Sequence, residues 1–446
     1  MEKMPLSSDP PKEVPASQAD LSLAEIISAL SFAIDLTEGA VPGHAVRCCA
    51  LGMRIACEMG LPEDQLEALY YALLLKDAGS SGQGGMDSRA GESGPTSRRR
   101  WGLFKGFRSR VLTQARRGER GAEIVRKLGL SAETAAAIYA LDERWDGSGS
   151  PRRLHGDSIP LLSRVLAVAQ HLDLSGCRRG PEEALKELCL REGGWFDPEV
   201  VRAALVLKRR GSLWTRCLPT DDPEASRRVV LRLQPGVGRA VRADEIDRIC
   251  EAFAGVVDAK SPFTYRHSVG VAEVAHDLAT ALALPADRCQ LVRRAALLHD
   301  LGKLAVPNRI LDKRSPLTPE EWLVVVEHPR MTREILARIK PFGEMAVIAG
   351  AHHERLDGSG YPEQLREGDL SLEARVVAVA DFYRALTEDR PYRKGMQHAA
   401  AIGVLREQAG ALDTSCVDAL DRAKGGGVIS LELLGRGGGM GPALPS

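Results

Sequence analysis

The chain has 446 residues, of which 44% are hydrophobic and only 4% aromatic, so two or three domains fit its length and Leu, Ala and Val must fill their cores. That composition favours helices. Lys plus Arg equals Asp plus Glu at 60 each, and no excess of positive charge points to a nucleic-acid polymer as partner.

Residues 1–20 are polar and Pro-rich, lack a signal-peptide core and read as disordered. The apolar stretch 21–36 carries Glu25 and Asp35, so it reads as an amphipathic helix and not as a membrane span. Helical patterning continues through 45–59 and 65–75 and stops at Asp77-Ala78-Gly79. A Gly/Ser/Arg-rich stretch, 80–117, includes Arg98-Arg99-Arg100 and reads as a solvated, mobile loop. Helical patterning returns at 122–128, 132–141, 163–172, 181–190 and 198–209, which closes a first domain over 21–211. Residues 212–243 lose the periodicity amid Pro219, Pro223, Pro235, Gly236 and Gly238, and 229–233 reads as a short strand. An interdomain linker is expected there. A second helical domain is expected over 244–425, followed by a loose Gly-rich tail, 426–446. The nine Cys include no C-x-x-C pair, which suggests reduced thiols and a cytoplasmic location.

The two domains repeat one another. Glu143-Arg144-Trp145-Asp146-Gly147-Ser148-Gly149-Ser150-Pro151 recurs as Glu354-Arg355-Leu356-Asp357-Gly358-Ser359-Gly360-Tyr361-Pro362. At the same spacing, Arg164-Val165-Leu166-Ala167-Val168-Ala169 recurs as Arg375-Val376-Val377-Ala378-Val379-Ala380. Upstream of the long loop, His44-Ala45-Val46 matches His267-Ser268-Val269, and Leu74-Leu75-Lys76-Asp77-Ala78-Gly79 matches Leu297-Leu298-His299-Asp300-Leu301-Gly302. Four matches in the same order indicate two copies of one helical domain, an all-α chain.

The chemistry gathers in the second copy. His299-Asp300 ends an apolar run, which places the pair at the C-terminal end of a buried helix with Gly302 as the stop signal. Burying an imidazole and a carboxylate is costly, and a divalent cation bound by both offsets that cost. Taken alone, His267 on an apolar helix face reads as a core histidine, and His328 before Pro329 reads as a turn residue. His352-His353 follows the apolar run 345–351; Asp381 follows 376–380, a strand or a buried helix by periodicity. Five His in four segments plus two Asp exceed one mononuclear site and suit two ions bridged by a carboxylate.

His299-Asp300-Leu301-Gly302-Lys303, His328-Pro329, His352-His353-Glu354-Arg355, Gly360-Tyr361-Pro362 and Asp389-Arg390-Pro391-Tyr392-Arg393-Lys394 resemble the HD-GYP family of phosphodiesterases over about residues 245–425. The resemblance implies an all-α domain, two tandem HD-type copies here, with a centre of two or three metals, usually iron or manganese. It implies hydrolysis of cyclic di-GMP to the linear dinucleotide, in some members onward to GMP, while a few members prefer other cyclic dinucleotides. By the same resemblance His267, His299, Asp300, His328, His352, His353 and Asp381 are the metal ligands, and Asp300 bridges the ions. Lys303 lies beside the site and contacts phosphate, and Arg390 and Arg393 hold phosphates through the guanidinium fork. Three-metal members carry Glu four residues before the first His; Phe263 stands there, so two divalent ions are expected. Such a pair supplies a metal-activated hydroxide and offsets charge on the phosphate. The other readings are a phosphohydrolase for another nucleotide and a catalytically weak signalling or binding module.

The first copy lacks this set. His44 and Asp77 remain, but Lys76, Arg117, Leu141, Asp142 and Gln170 stand where the second copy has His299, His328, His352, His353 and Asp381. A degenerate domain that pairs structurally with the second is expected. Either this domain or the Gly358–Pro362 loop could dock a protein partner, whereas no nucleic-acid polymer and no membrane are expected.

Overall fold

The computed structural model describes residues 21–36, 43–80, 116–214, 223–236, 238–260, 267–313, 315–389 and 394–433. The expected disordered N-terminus, nearly all of the Arg-rich loop, Phe263, Arg390, Arg393 and the last part of the tail lie outside them. The architecture is all-α, and among the described residues the only extended pairings are isolated bridges. The first copy holds α1 (Leu23–Asp35), α2 (His44–Glu58), α3 (Glu63–Leu75), α4 (116–127), α5 (Ala132–Tyr139), α6 (Leu161–Arg179), α7 (Pro181–Leu190) and α8 (Pro198–Arg209). After α9 (Pro223–Arg232), the second copy holds α10 (Ala243–Lys260), α11 (His267–Ala281), α12 (Ala286–Leu298), α13 (Asn308–Leu311), α14 (Pro319–Val325) and α15 (His328–Ala337). It continues with α16 (Gly343–Gly350), α17 (Leu372–Thr387), α18 (His398–Glu407) and α19 (Thr414–Leu433).

Residues 223–232 correct the sequence reading. They form α9, which packs against α1 and α2, so 229–233 is not a strand. Pro223 opens this helix, at a position where the missing N–H costs nothing, and the Pro-rich composition hid the periodicity that follows.

Helix α1 joins the copies. Ile26, Ile27, Leu30, Ala33 and Ile34 are buried nearly all round the helix, as expected of a helix with neighbours on every side. It packs on α2, α3 and α9, and also on α15 and the 3-10 turn Leu301–Ala305 of the second copy. Across this contact the Arg338 guanidinium lies 3.6 Å from the Phe32 ring centroid. One hydrophobic core therefore runs through both halves.

The repeated Glu-Arg-x-Asp-Gly segment has one physical cause in both copies. The Glu354 carboxylate accepts from the backbone N–H of Glu363 (2.7 Å) and Leu365 (2.9 Å), and the Glu143 carboxylate does the same for Arg152 (2.6 Å) and Leu154 (3.0 Å). A Cβ at Gly360 would lie 2.4 Å from the Arg355 nitrogen, and one at Gly149 would lie 2.3 Å from that of Arg144. Both buried glutamates thus clamp a turn that has no room for a side chain at its second glycine. The turn is part of the scaffold, present with or without a set of histidines beside it.

Candidate metal centre

The centre is assembled at the ends of four helices and against the middle of a fifth. Asp300 follows α12, whose C-cap is His299; His328 opens α15; His352 and His353 follow α16; His267 opens α11; and Asp381 sits inside α17. The uncertainty over Asp381 thus resolves as a helix, because its apolar run is buried on several sides. His328 is a helix start and not merely a turn, with Pro329 in the first helical position. All seven residues expected as ligands come together.

Their hydrogen bonds fix which nitrogen faces inward. The Nδ1–H groups of His299, His328 and His352 donate to the carbonyls of Ala296 (2.7 Å), Val325 (2.7 Å) and Ala349 (2.8 Å). Since a carbonyl can only accept, each ring in its neutral form leaves Nε2 as a lone pair pointing at the centre; burial opposes a charge on His299, but Asp300 and Asp381 push its pKa up. The Nε2 atoms of His328 and His352 stand 3.2 Å apart, two acceptors face to face in a buried space. Burial holds both rings on the neutral side, so no proton fills the gap. This arrangement of two acceptors fits a cation held by both.

Asp300 divides the set in two. Its Oδ2 faces His299 Nε2 at 3.3 Å, whereas Oδ1 faces the Nε2 atoms of His328 at 3.4 Å and His352 at 3.8 Å. Oδ1 is buried and accepts no hydrogen bond. His267, His299 and Asp381 form one group of donors, His328, His352 and His353 another, and His299, Asp300 and His352 a third that links the two. In each group the donor atoms lie within 4.8 Å of one another. Burial opposes ionisation of Asp300, but His299 and Lys303 hold its carboxyl well below the usual range. The donor set therefore fits two divalent cations that share one carboxylate.

The surroundings support the same orientation. His267 presents Nε2 to Asp381 (3.1 Å) and Nδ1 to Glu388 (2.9 Å); burial disfavours its charge, yet these two carboxylates push it up to about 9. Glu388 escaped the sequence reading because nothing in its spacing ties it to His267, 121 positions away. Thr332 was also missed. Its hydroxyl donates to the His299 carbonyl and accepts from the Gly302 N–H, both at 2.8 Å, stitching the end of α12 to α15. Gly302 serves this junction rather than simply ending a helix: a Cβ there would lie 1.9 Å from the His328 carbonyl oxygen.

The centre is open on one side. The side chains of His299, His328 and His352 are 1% exposed or less, against 23% for His353 and 24% for Lys303. Lys303 donates to Asp300 Oδ2 at 2.6 Å, so its ammonium stands at the mouth. Arg390 and Arg393 lie outside the described residues.

In the first copy the same place is filled by cations of the chain itself. Lys76 is buried and pairs with Asp77, which also takes the Arg117 guanidinium. His44 bonds Asp173 at 2.6 Å, and Arg47 holds the other Asp173 oxygen at 2.5 Å. Asp173 and Arg47 are further residues the sequence reading did not single out. His44, Cys48 and Asp173 could by donor type hold an ion, but the carboxylate is already paired with a guanidinium.

A family model described as HD domain matches residues 108–200 and 251–416. The chain is 37% identical over 444 residues to the 3'3'-cGAMP-specific phosphodiesterase 3 of Vibrio cholerae, covering 91% of this chain and 95% of that protein. It is 40% identical over 175 residues to a cyclic di-GMP phosphodiesterase of Pseudomonas aeruginosa, covering 38% of this chain and 42% of that one. Among solved structures, a cyclic GMP-AMP-specific phosphodiesterase of Vibrio cholerae matches with a TM-score of 0.65 and 34% identity, over 91% of this chain and 98% of that one. Fold and centre thus define an all-helical, metal-dependent phosphohydrolase. The chain belongs to the HD-domain family, in its HD-GYP phosphodiesterase branch, with a degenerate copy of the domain preceding the intact one. Among the described residues no helix is long and apolar enough to cross a membrane.

Two outcomes follow from these contacts. Gly302→Ala forces α12 and α15 apart at His328, so the variant loses bound metal, measured by elemental analysis, although every donor remains; full occupancy would contradict the role given to the junction. Burial disfavours the charge of Asp77, but Lys76 and Arg117 hold its carboxyl far below the usual range. A depressed carboxyl stabilises the fold above its unfolded pKa, and that contribution is lost as pH falls below about 4. Asp77→Asn strands the buried Lys76 and is expected to cost about 3 kcal/mol at neutral pH. In urea unfolding the gap from wild type narrows below pH 4; a gap independent of pH would contradict the ion pair.

Proposed function

We propose that the second copy hydrolyses a cyclic dinucleotide to the linear dinucleotide at a centre of two divalent metals, iron or manganese, with a further cut to mononucleotides as the following reaction. The observation that carries this reading is the pair of donor groups linked through Asp300, whose Oδ2 faces His299 and whose Oδ1 faces His328, with the part-exposed Lys303 beside them. His267, His299 and Asp381 would hold one ion, and His328, His352 and His353 the other. Bound there, divalent cations lower the pKa of water and offset charge on a phosphate, so no Ser or Cys nucleophile is needed.

The remaining work falls to the chain. The carbonyls of Ala296, Val325 and Ala349 would fix the tautomer of three imidazoles and aim each Nε2 inward. Asp300 would serve both ions, and Lys303 would stabilise negative charge on the phosphate. Arg390 and Arg393 would anchor the second phosphate of a diester ring.

Cyclic di-GMP is the substrate that the family resemblance implies. The relative matched along 95% of its length, tandem copies included, is named as specific for 3'3'-cGAMP, whereas the cyclic di-GMP phosphodiesterase of P. aeruginosa matches 38% of this chain. That difference supports 3'3'-cGAMP as the preferred substrate and cyclic di-GMP as the second.

Anaerobically prepared, metal-loaded protein should convert 3'3'-cGAMP to its linear product with a larger kcat/KM than cyclic di-GMP, followed by chromatography. Lys303→Ala should lower kcat by about 100-fold. Faster turnover of cyclic di-GMP would reverse the order of substrates, and cleavage of nucleoside monophosphates or triphosphates alone would overturn the reading.

A further inference from the structure

Residues 319–325 form α14, a short helix that carries Trp322, Leu323 and Val324 largely in solvent, with Trp322 47% exposed. A capping box, in which Thr318 and Glu321 satisfy one another's backbone, fixes its start, and Lys313 pairs with Glu321. At its other end the Val325 carbonyl takes the Nδ1–H of His328 at 2.7 Å. The helix is therefore tied to the metal centre one turn beyond the exposed indole.

The indole stands at the open side of that centre. Its ring lies 5.7 Å from the ring of Tyr361, edge to face, and Tyr361 lies 4.8 Å from His353, the most exposed of the candidate histidine ligands. Trp322, Tyr361 and His353 thus run from solvent to the candidate ligands. An exposed Trp has an ordinary reading as surface packing. The internal copy argues against it here, because it keeps the glutamate clamp and the glycine turn yet has Ser150 in place of Tyr361. The first copy keeps the turn without the tyrosine ring, so that ring is not needed to build it.

We propose that Trp322, supported by Tyr361, is the stacking platform for one nucleobase of the substrate and positions its phosphodiester against the centre. A base has a π-face whatever its identity, and an indole edge-locked by a second ring offers a flat, partly desolvated surface at little entropic cost. The proposal rests on the cyclic-dinucleotide reading above.

Steady-state kinetics of the metal-loaded, full-length protein test it, with Trp322→Ala, Trp322→Leu and Trp322→Phe assayed on 3'3'-cGAMP and cyclic di-GMP and metal content measured on the same samples. The Ala and Leu variants should raise KM about tenfold with kcat and metal content little changed, while the Phe variant stays near wild type. A packing role is served by Leu as well as by Phe, so equal behaviour of those two variants overturns the platform, as does an unchanged KM in Trp322→Ala. If the wild type turns over no cyclic dinucleotide, the functional reading fails separately. Equilibrium binding of 3'3'-cGAMP to wild type and Trp322→Ala then decides: about tenfold weaker binding by the variant supports the platform, and equal or undetectable binding overturns it.

Discussion

Three imidazoles tethered by their Nδ1–H groups to carbonyls three residues earlier, at helix ends, turn their Nε2 atoms towards one buried carboxylate. Neutral acceptors 3.2 Å apart, with Asp300 Oδ1 accepting no hydrogen bond beside them, cannot satisfy each other. The tethers are local consequences of helix ends, where carbonyls have no partner further along the helix. What the fold adds is their mutual placement. Thr332 and Gly302 draw the end of α12 onto α15, and α1 of the first copy packs behind both.

The degenerate copy meets the same constraint by another route. Its scaffold keeps the turn clamp, and the close approach recurs: a Cβ at Gly79 would lie 2.1 Å from the Arg117 carbonyl oxygen, and one at Gly302 1.9 Å from that of His328. Lys76 and Arg117 bring positive charge to Asp77 from within the chain. One fold thus balances its central carboxylate with covalently attached cations in one half and with a donor set suited to metal ions in the other. Since α1 contacts elements of both halves, loss of the ligands did not free the first copy from the second.

Much of this was legible because chemistry-bearing residues recur at fixed intervals. The paired copies exposed which positions belong to the scaffold and which to the site, and His299-Asp300 at the end of an apolar run gave the direction of the helix. Glu388, Thr332, Asp173 and Arg47 were hidden because each acts through a tertiary contact between distant helices. The role of Gly302 was misread for a related reason: the space it leaves is needed by a chain segment far along the sequence. Helix α9 was missed where prolines at its margins masked ten helical residues. Trp322 lies in a short helix with no periodicity to mark it, and tertiary contacts, the ring of Tyr361 beside it and the Val325–His328 bond, tie it to the centre.

The account's central claim is that cations belong in one copy and are replaced in the other. Metal content per chain, measured after anaerobic reconstitution with iron or manganese, tests this when wild type is compared with Asp300→Ala and His44→Ala. About two ions in wild type, none in Asp300→Ala and two in His44→Ala is the result predicted. Metal retained by Asp300→Ala and lost from His44→Ala would place the ions in the first copy and contradict the account.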